Sequence, residues 1–175
     1  MINIVSGPPG SGKTTYVLKN KKRGDVVIDI DLLFQAFTGL PMYDKPEALL
    51  GFSIELKRAA ILQACYFHVV HMVSNVWVVV GGAKIEDRYG ITGQYIPEHV
   101  YILNPSAEEC VKRIASDDRR SSRLGLWRRL IRQWKMQYEP HSSDEFLPAY
   151  ESLVQGVGGD GIAKVQDVTP LDRAG

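Results

Sequence analysis

Residues 7–15, Gly7-Pro8-Pro9-Gly10-Ser11-Gly12-Lys13-Thr14-Thr15, decide the fold. They complete the pattern G-x-x-x-x-G-K-[ST]. A short apolar stretch, Ile2 to Ser6, reads as a strand before them. A helix is expected from Lys13 into the basic run Lys19 to Arg23, stopped by Gly24. Glycines let the backbone wrap closely and turn its N–H groups toward phosphate oxygens. The helix N-terminus behind them adds a favourable dipole. Lys13 supplies a point charge for β- and γ-phosphates, the Thr14 hydroxyl suits Mg²⁺, and Thr15 reaches toward an α-phosphate. A glycine-rich turn with a chance lysine is the bland alternative, and position, flanks and completeness all speak against it. The stretch implies a nucleoside triphosphate, ATP, with Mg²⁺, held by Gly7, Pro8, Pro9, Gly10, Ser11, Gly12, Lys13, Thr14 and Thr15. It does not say where the γ-phosphate goes.

Working outward, strands and helices alternate. Asp25 to Ile30 is a second, β-branched strand, and Asp31 is placed to cap the helix that follows it, ending near Gly39. Pro41 to Pro46 is a loop, and a long helix is expected from Glu47 to about Ser74. Val76 to Val80 is a third strand and His99 to Leu103 a fourth. Asn104-Pro105-Ser106 then caps a helix through about Ala115. A further helix runs to about Tyr138. Beyond Glu139-Pro140, Glu145 to Leu153 reads as a helix and Ile162 to Val168 as a last strand. Continuous apolar strands alternating with helices mean a parallel sheet covered on both faces, with ligands at the carboxyl ends of the strands.

Composition narrows the classes. The chain has 175 residues, which at ~150 residues per domain is one domain over 1–175, with a flexible tail expected from about 169. Residues Ala59 to Ala83 carry no Asp, Glu, Lys or Arg, yet Gln63, His68, His71, Ser74 and Asn75 interrupt them. A buried helix feeding a buried strand fits better than a membrane span. No signal-peptide pattern opens the chain. Cys65 and Cys110 have neither disulfide nor metal spacing, which favours a reducing, cytoplasmic setting.

Val26-Val27-Ile28-Asp29-Ile30-Asp31 carries two carboxylates one residue apart, on the same side by strand periodicity. With the loop at 7–15, this pair resembles the small P-loop kinases: shikimate and gluconate kinases, polynucleotide 5′-hydroxyl kinases, chloramphenicol phosphotransferase and zeta-toxin-like kinases. The resemblance spans about two-thirds of the chain and is motif-level outside the loop. It implies a three-layer α/β fold, a P-loop fold with a parallel five-stranded sheet of order 2-3-1-4-5 and a lid. It also implies Asp29 near Mg²⁺ and Asp31 near the acceptor hydroxyl, with the two roles open to exchange. The competing readings are a helix N-cap for Asp31 and a solvated strand end for Asp29. After Val80 come Gly81-Gly82-Ala83, with no Walker-B carboxylate. That argues against an ATPase motor. It is either a tight turn or, as in shikimate-type kinases, a close approach to the acceptor.

Residues 112–135 hold nine basic side chains against Asp117 and Asp118, a net +7 hidden by −6 elsewhere in a chain of total +1. By the resemblance, Arg113 packs on adenine, and Arg119, Arg120 and Arg123 belong to a lid at about 117–124 that stabilises transferred charge. Arg128, Arg129 and Arg132 suit a nucleic-acid partner or a solvated helix face. Trp127, Leu130, Ile131, Trp134 and Tyr138 form the core-facing stripe of that helix. Arg58, Tyr43-Asp44-Lys45, His68 and His71 are weaker candidates. Arg58 is read chiefly as a surface residue beside Glu55, residues 43–45 as a loop over the acceptor, and the two histidines as core or capping residues. The expected activity is transfer of the γ-phosphate of Mg·ATP to an acceptor hydroxyl, of a nucleoside, nucleotide or polynucleotide 5′ end. The alternatives are a kinase of a small metabolite and a nucleotide-binding switch with weak hydrolysis. A monomer or dimer is expected, with no membrane association.

Overall fold

A computed structural model describes residues 1–147. Strands β1 (Ile2–Ser6) and β3 (Val76–Val80) are buried at every position, as continuous apolar runs must be when helices cover both faces of a sheet. β1 lies between β3 and β4 (His99–Ile102). β3 also pairs with β2 (Val26–Asp29), and β4 with β5 (Asp144–Phe146). All four pairings are parallel, and the order is β2-β3-β1-β4-β5, the expected 2-3-1-4-5.

The two-residue period of the strands divides the core. On one face Ile4, Ile28, Val78 and Ile102 pack with Ile61 and Cys65 of α3 (Leu50–Val69) and with Trp134 of α7 (Leu124–Gln137). On the other, Val5, Trp77 and Val79 meet Val17 of α1 (Lys13–Asn20). A third cluster joins Cys110 and Ile114 of α5 (Ala107–Ala115) to Ile131 of α7, and so anchors the arginine-rich helices. Ser106 caps α5 as expected, its hydroxyl accepting from the Glu109 N–H at 3.1 Å. Helices α2 (Ile30–Thr38), α4 (Ile85–Tyr89) and α6 (Asp118–Ser121) and a 3-10 turn at Glu47–Leu49 complete the described elements. Among the described residues no helix is long and apolar enough to cross a membrane.

Several boundaries differ from the sequence expectation. α1 ends at Asn20, before the run of Lys21, Lys22 and Arg23. α3 ends at Val69, and His71 adopts a left-handed φ of 60° that no helix continues through. The segment between Ala83 and β4, for which no helix was expected, holds the short helix α4, and the expected lid holds α6. The fifth strand is Asp144–Phe146, where a helix from Glu145 was expected. Its partners are not local. Asp144 is fully buried against Arg88 at 3.0 Å and accepts from the Tyr89 and Tyr138 hydroxyls. The rest of that helix, the strand at Ile162 to Val168 and the tail from 169 lie outside the described residues.

Candidate active site

The loop at 7–12 joins β1 to α1. Gly10 has φ 79°, and a Cβ there would stand 2.6 Å from the Cys110 carbonyl oxygen. A Cβ on Gly7 would stand 2.2 Å from the Leu103 carbonyl oxygen. Only glycine lets the loop lie this close to β4 and α5. Lys13 curls back over it, donating to the carbonyls of Gly7 and Pro8 at 2.8 Å each and to Ser11 Oγ at 3.3 Å. Burial lowers the Lys13 ammonium from 10.5 to about 8, against the upward pull of Asp29 and Asp31.

Thr14 and both aspartates meet beside it. The Thr14 hydroxyl donates to Asp29 Oδ2 at 2.8 Å, and the Asp31 N–H donates to Asp29 Oδ1 at 2.9 Å. Asp29 is therefore the N-cap of α2, and Asp31 lies in its first turn. The capping role expected of Asp31 belongs to Asp29. The competing reading of Asp29 as a solvated strand end does not hold, since the residue is 4% exposed. The two share a wall because the helix starts between them, not because of strand pleating.

That wall belongs to a cavity of about 610 Å³. Gly7, Pro9, Gly10, Gly12, Lys13, Thr14 and Thr15 line one side, and Asp29, Asp31 and Lys57 another. Arg113, Arg119 and Arg120 line it as well. Arg113 donates to the Ser11 carbonyl at 3.2 Å and pairs with Glu109. Asp117 holds Arg119 and Arg120 at 2.9 and 2.8 Å, and these contacts, Arg119 first, bring its carboxyl down to about 2. Pro8 and Ser11 belong to the loop without lining the cavity. Arg123 lies outside it, 3.8 Å from Asp44. Arg128, Arg129 and Arg132 are exposed on α7 and line neither this cavity nor its neighbour.

The neighbour holds about 550 Å³ and shares Ile30, Lys57, Val80 and Gly81 with the first. Ile54, Ile61 and Ile91 give it an apolar side, and Arg58, Glu86 and Asp87 a charged one. Gly81 is pinned between them. Its carbonyl accepts from Ser6 Oγ at 3.2 Å and from the Trp134 indole. The turn is thus tight, and Gly81 lines both cavities.

The strand order, the loop between β1 and α1, and the threonine–aspartate contact decide the architecture. This is the P-loop fold. No protein-family model matches the chain, and no curated protein does. Among solved structures, the shikimate kinase from Acinetobacter baumannii in complex with shikimate is similar over 89% of this chain and 89% of its own, at 17% identity and a TM-score of 0.46. The sheet order and the P-loop geometry carry the fold assignment without it.

Three residues at or beside this cavity go beyond the sequence reading: Lys57 was not singled out, Trp127 was read only as core and Lys45 only as part of a loop over the acceptor. Lys57 reaches both cavities, whereas attention fell on its neighbour Arg58. Its ammonium donates to the Val79 carbonyl at 3.2 Å, and burial lowers its pKa against the pull of both aspartates. The phase Ser53–Lys57–Ile61, four residues apart on the buried face of α3, carried the signal. Trp127 belongs to the core stripe yet also lines the larger cavity, its ring edge-on to Tyr43 at 5.6 Å. Lys45 pairs with Asp31, and no local pattern announces it. His68 is half-buried and contacts the Met1 amino group and the Val73 carbonyl beyond the end of α3, and His71 is exposed, so neither is a core residue or a helix cap. Among the described residues there is no metal-binding cluster of histidine, cysteine and carboxylate.

Proposed function

We propose that this chain transfers the γ-phosphate of Mg·ATP to the hydroxyl of a small acceptor. The observation that carries the reading is the single Asp29 carboxylate bridging Thr14 of the P-loop to the first turn that presents Asp31. One carboxylate and one hydroxyl at the cavity wall are hard oxygen donors. They suit Mg²⁺, which takes few protein ligands and completes its shell with phosphate oxygens and water. Held by Thr14 and Asp29, Mg²⁺ would supply neutralisation of the phosphate charge.

The protein's part is positioning. Lys13 and the loop N–H groups hold the β- and γ-phosphates. Asp31 orients the acceptor hydroxyl and takes its proton as its oxygen bonds to the γ-phosphorus and the bond to the β–γ bridging oxygen breaks, leaving ADP. Arg119 and Arg120 stabilise the equatorial charge. The turn directly after β3, Gly81-Gly82-Ala83, offers no Walker-B carboxylate to activate water, which favours transfer over hydrolysis. The second cavity has the size of a small-ligand site, and its mixed apolar and charged walls suit a nucleoside-sized acceptor. A polynucleotide 5′ end draws support only from the charge of Arg128, Arg129 and Arg132.

The test is transfer from γ-labelled ATP to a panel of nucleosides, nucleotides, 5′-hydroxyl oligonucleotides and small hydroxylated metabolites. One acceptor is expected to be labelled, and Asp31→Asn is expected to bind ATP and abolish labelling. ATP binding with no labelled acceptor across the panel would instead favour a nucleotide-binding switch.

A further inference from the structure

Lys45 stands in the loop between α2 and the 3-10 turn, and its ammonium pairs with Asp31 Oδ1. The two side chains are 20% and 32% exposed, so the pair is partly withdrawn from water. Among the described residues no hydrogen bond reaches Asp31 Oδ2. Two residues earlier, the Tyr43 ring lies 5.8 and 5.2 Å from the guanidinium carbons of Arg119 and Arg120. One short loop segment thus touches the carboxylate on one side of the cavity and the lid arginines on the other.

We propose that Lys45 is the positioning residue of Asp31, and that the segment Tyr43–Lys45 sets this carboxylate and the lid arginines as one unit. The proposal rests on the phosphotransfer reading above. An aspartate in the first turn of a helix has two side-chain torsions free to turn. A charge-assisted contact to one oxygen fixes the carboxylate plane and leaves the other oxygen for the acceptor hydroxyl. The aromatic contact to both arginines favours their placement over the cavity in the same docked arrangement.

The test is a double-mutant cycle on the full chain. Lys45→Met is expected to lower kcat about tenfold or more, as small misplacements of a reacting group do, with KM for ATP changed less than about twofold. Lys45→Arg is expected to restore most of the rate. In an Asp31→Asn background, where ATP still binds, the cycle is read on ATP affinity, and Lys45→Met is expected to leave it unchanged. An ATP affinity that falls about tenfold or more in that background means Lys45 acts on the phosphates directly and overturns the proposal. Trp127 fluorescence gives a readout independent of turnover, because Tyr43 packs against that indole. The emission, assigned by Trp127→Phe, is expected to change in Lys45→Met and to return in Lys45→Arg. An unchanged emission in Lys45→Met refutes the docking. An intact fluorescence response in a protein that labels no acceptor keeps the docking and faults the phosphotransfer reading alone.

Discussion

Nucleotide affinity is expected to depend on pH through Lys13. Its ammonium is held among loop carbonyls, and burial brings it to about 8. Only the charged form attracts a triphosphate. One pH unit above that value, neutral lysine outnumbers charged by about ten to one, so apparent affinity at pH 9 should be roughly tenfold below its plateau near pH 7, and at pH 9.5 roughly thirtyfold. A lysine at its ordinary 10.5 would show almost no loss there. Titration calorimetry in paired buffers of different ionisation enthalpy should find proton uptake approaching about one per nucleotide at pH 9. Stability carries the opposite sign. Between about 8 and 10.5 the unfolded chain binds the extra proton, so the contribution of Lys13 to stability rises with pH across that window. Lys13→Arg should flatten the affinity profile, since guanidinium stays charged. Lys57→Met should leave its midpoint in place, although burial lowers Lys57 too. Constant affinity from pH 7 to 9.5, or a midpoint that moves with Lys57, would refute the reasoning.

Three further outcomes are expected. Asp29→Ala removes the cap of α2 and should lower unfolding free energy by about 1 kcal/mol. Asp29→Ser should recover most of that in urea titrations, while both variants lose Mg²⁺-dependent transfer. Gly10→Ala forces an L-residue to φ 79° with its Cβ 2.6 Å from a backbone oxygen. It should weaken nucleotide binding more than about tenfold while circular dichroism stays native, since strain of ~1–2 kcal/mol at one residue leaves the sheet intact. Arg88→Met strands the buried Asp144 and should cost about 3–5 kcal/mol, read from urea midpoints. Adding Asp144→Leu should regain part of it.

What was legible in the sequence was local. The loop at 7–15 announces itself because its function requires consecutive residues, and β1 and β3 do so because both faces are covered. Asp29 and Asp31 were singled out, but the cap of α2 falls on Asp29 rather than Asp31, because a cap is defined by where the helix starts and that boundary shifts by one or two residues. β5 was misread because Asp144-Glu145-Phe146 has neither apolar alternation nor length. It is a strand only because Val100 to Ile102 pair with it and Arg88 neutralises its first residue. Lys45 was placed only in a loop over the acceptor, since its partner is fourteen residues away across a loop.

Asp29 has one more consequence, for motion. One oxygen is tied to the first turn of α1 through Thr14, the other to the first turn of α2 through the Asp31 amide. The carboxylate works as a rivet between the two helices. Swinging α2 away from α1 would break two charge-assisted bonds in a buried place, so that wall behaves as a fixed jaw. On the proposed reading, ligand entry falls to the opposite jaw, α6 with the loop at 41–46, where Arg119 is 62% exposed and, among the described residues, has Asp117 as its ion-pair partner. Amide exchange should divide along that line, with Asp31 slow and residues 43–45 and 118–121 fast.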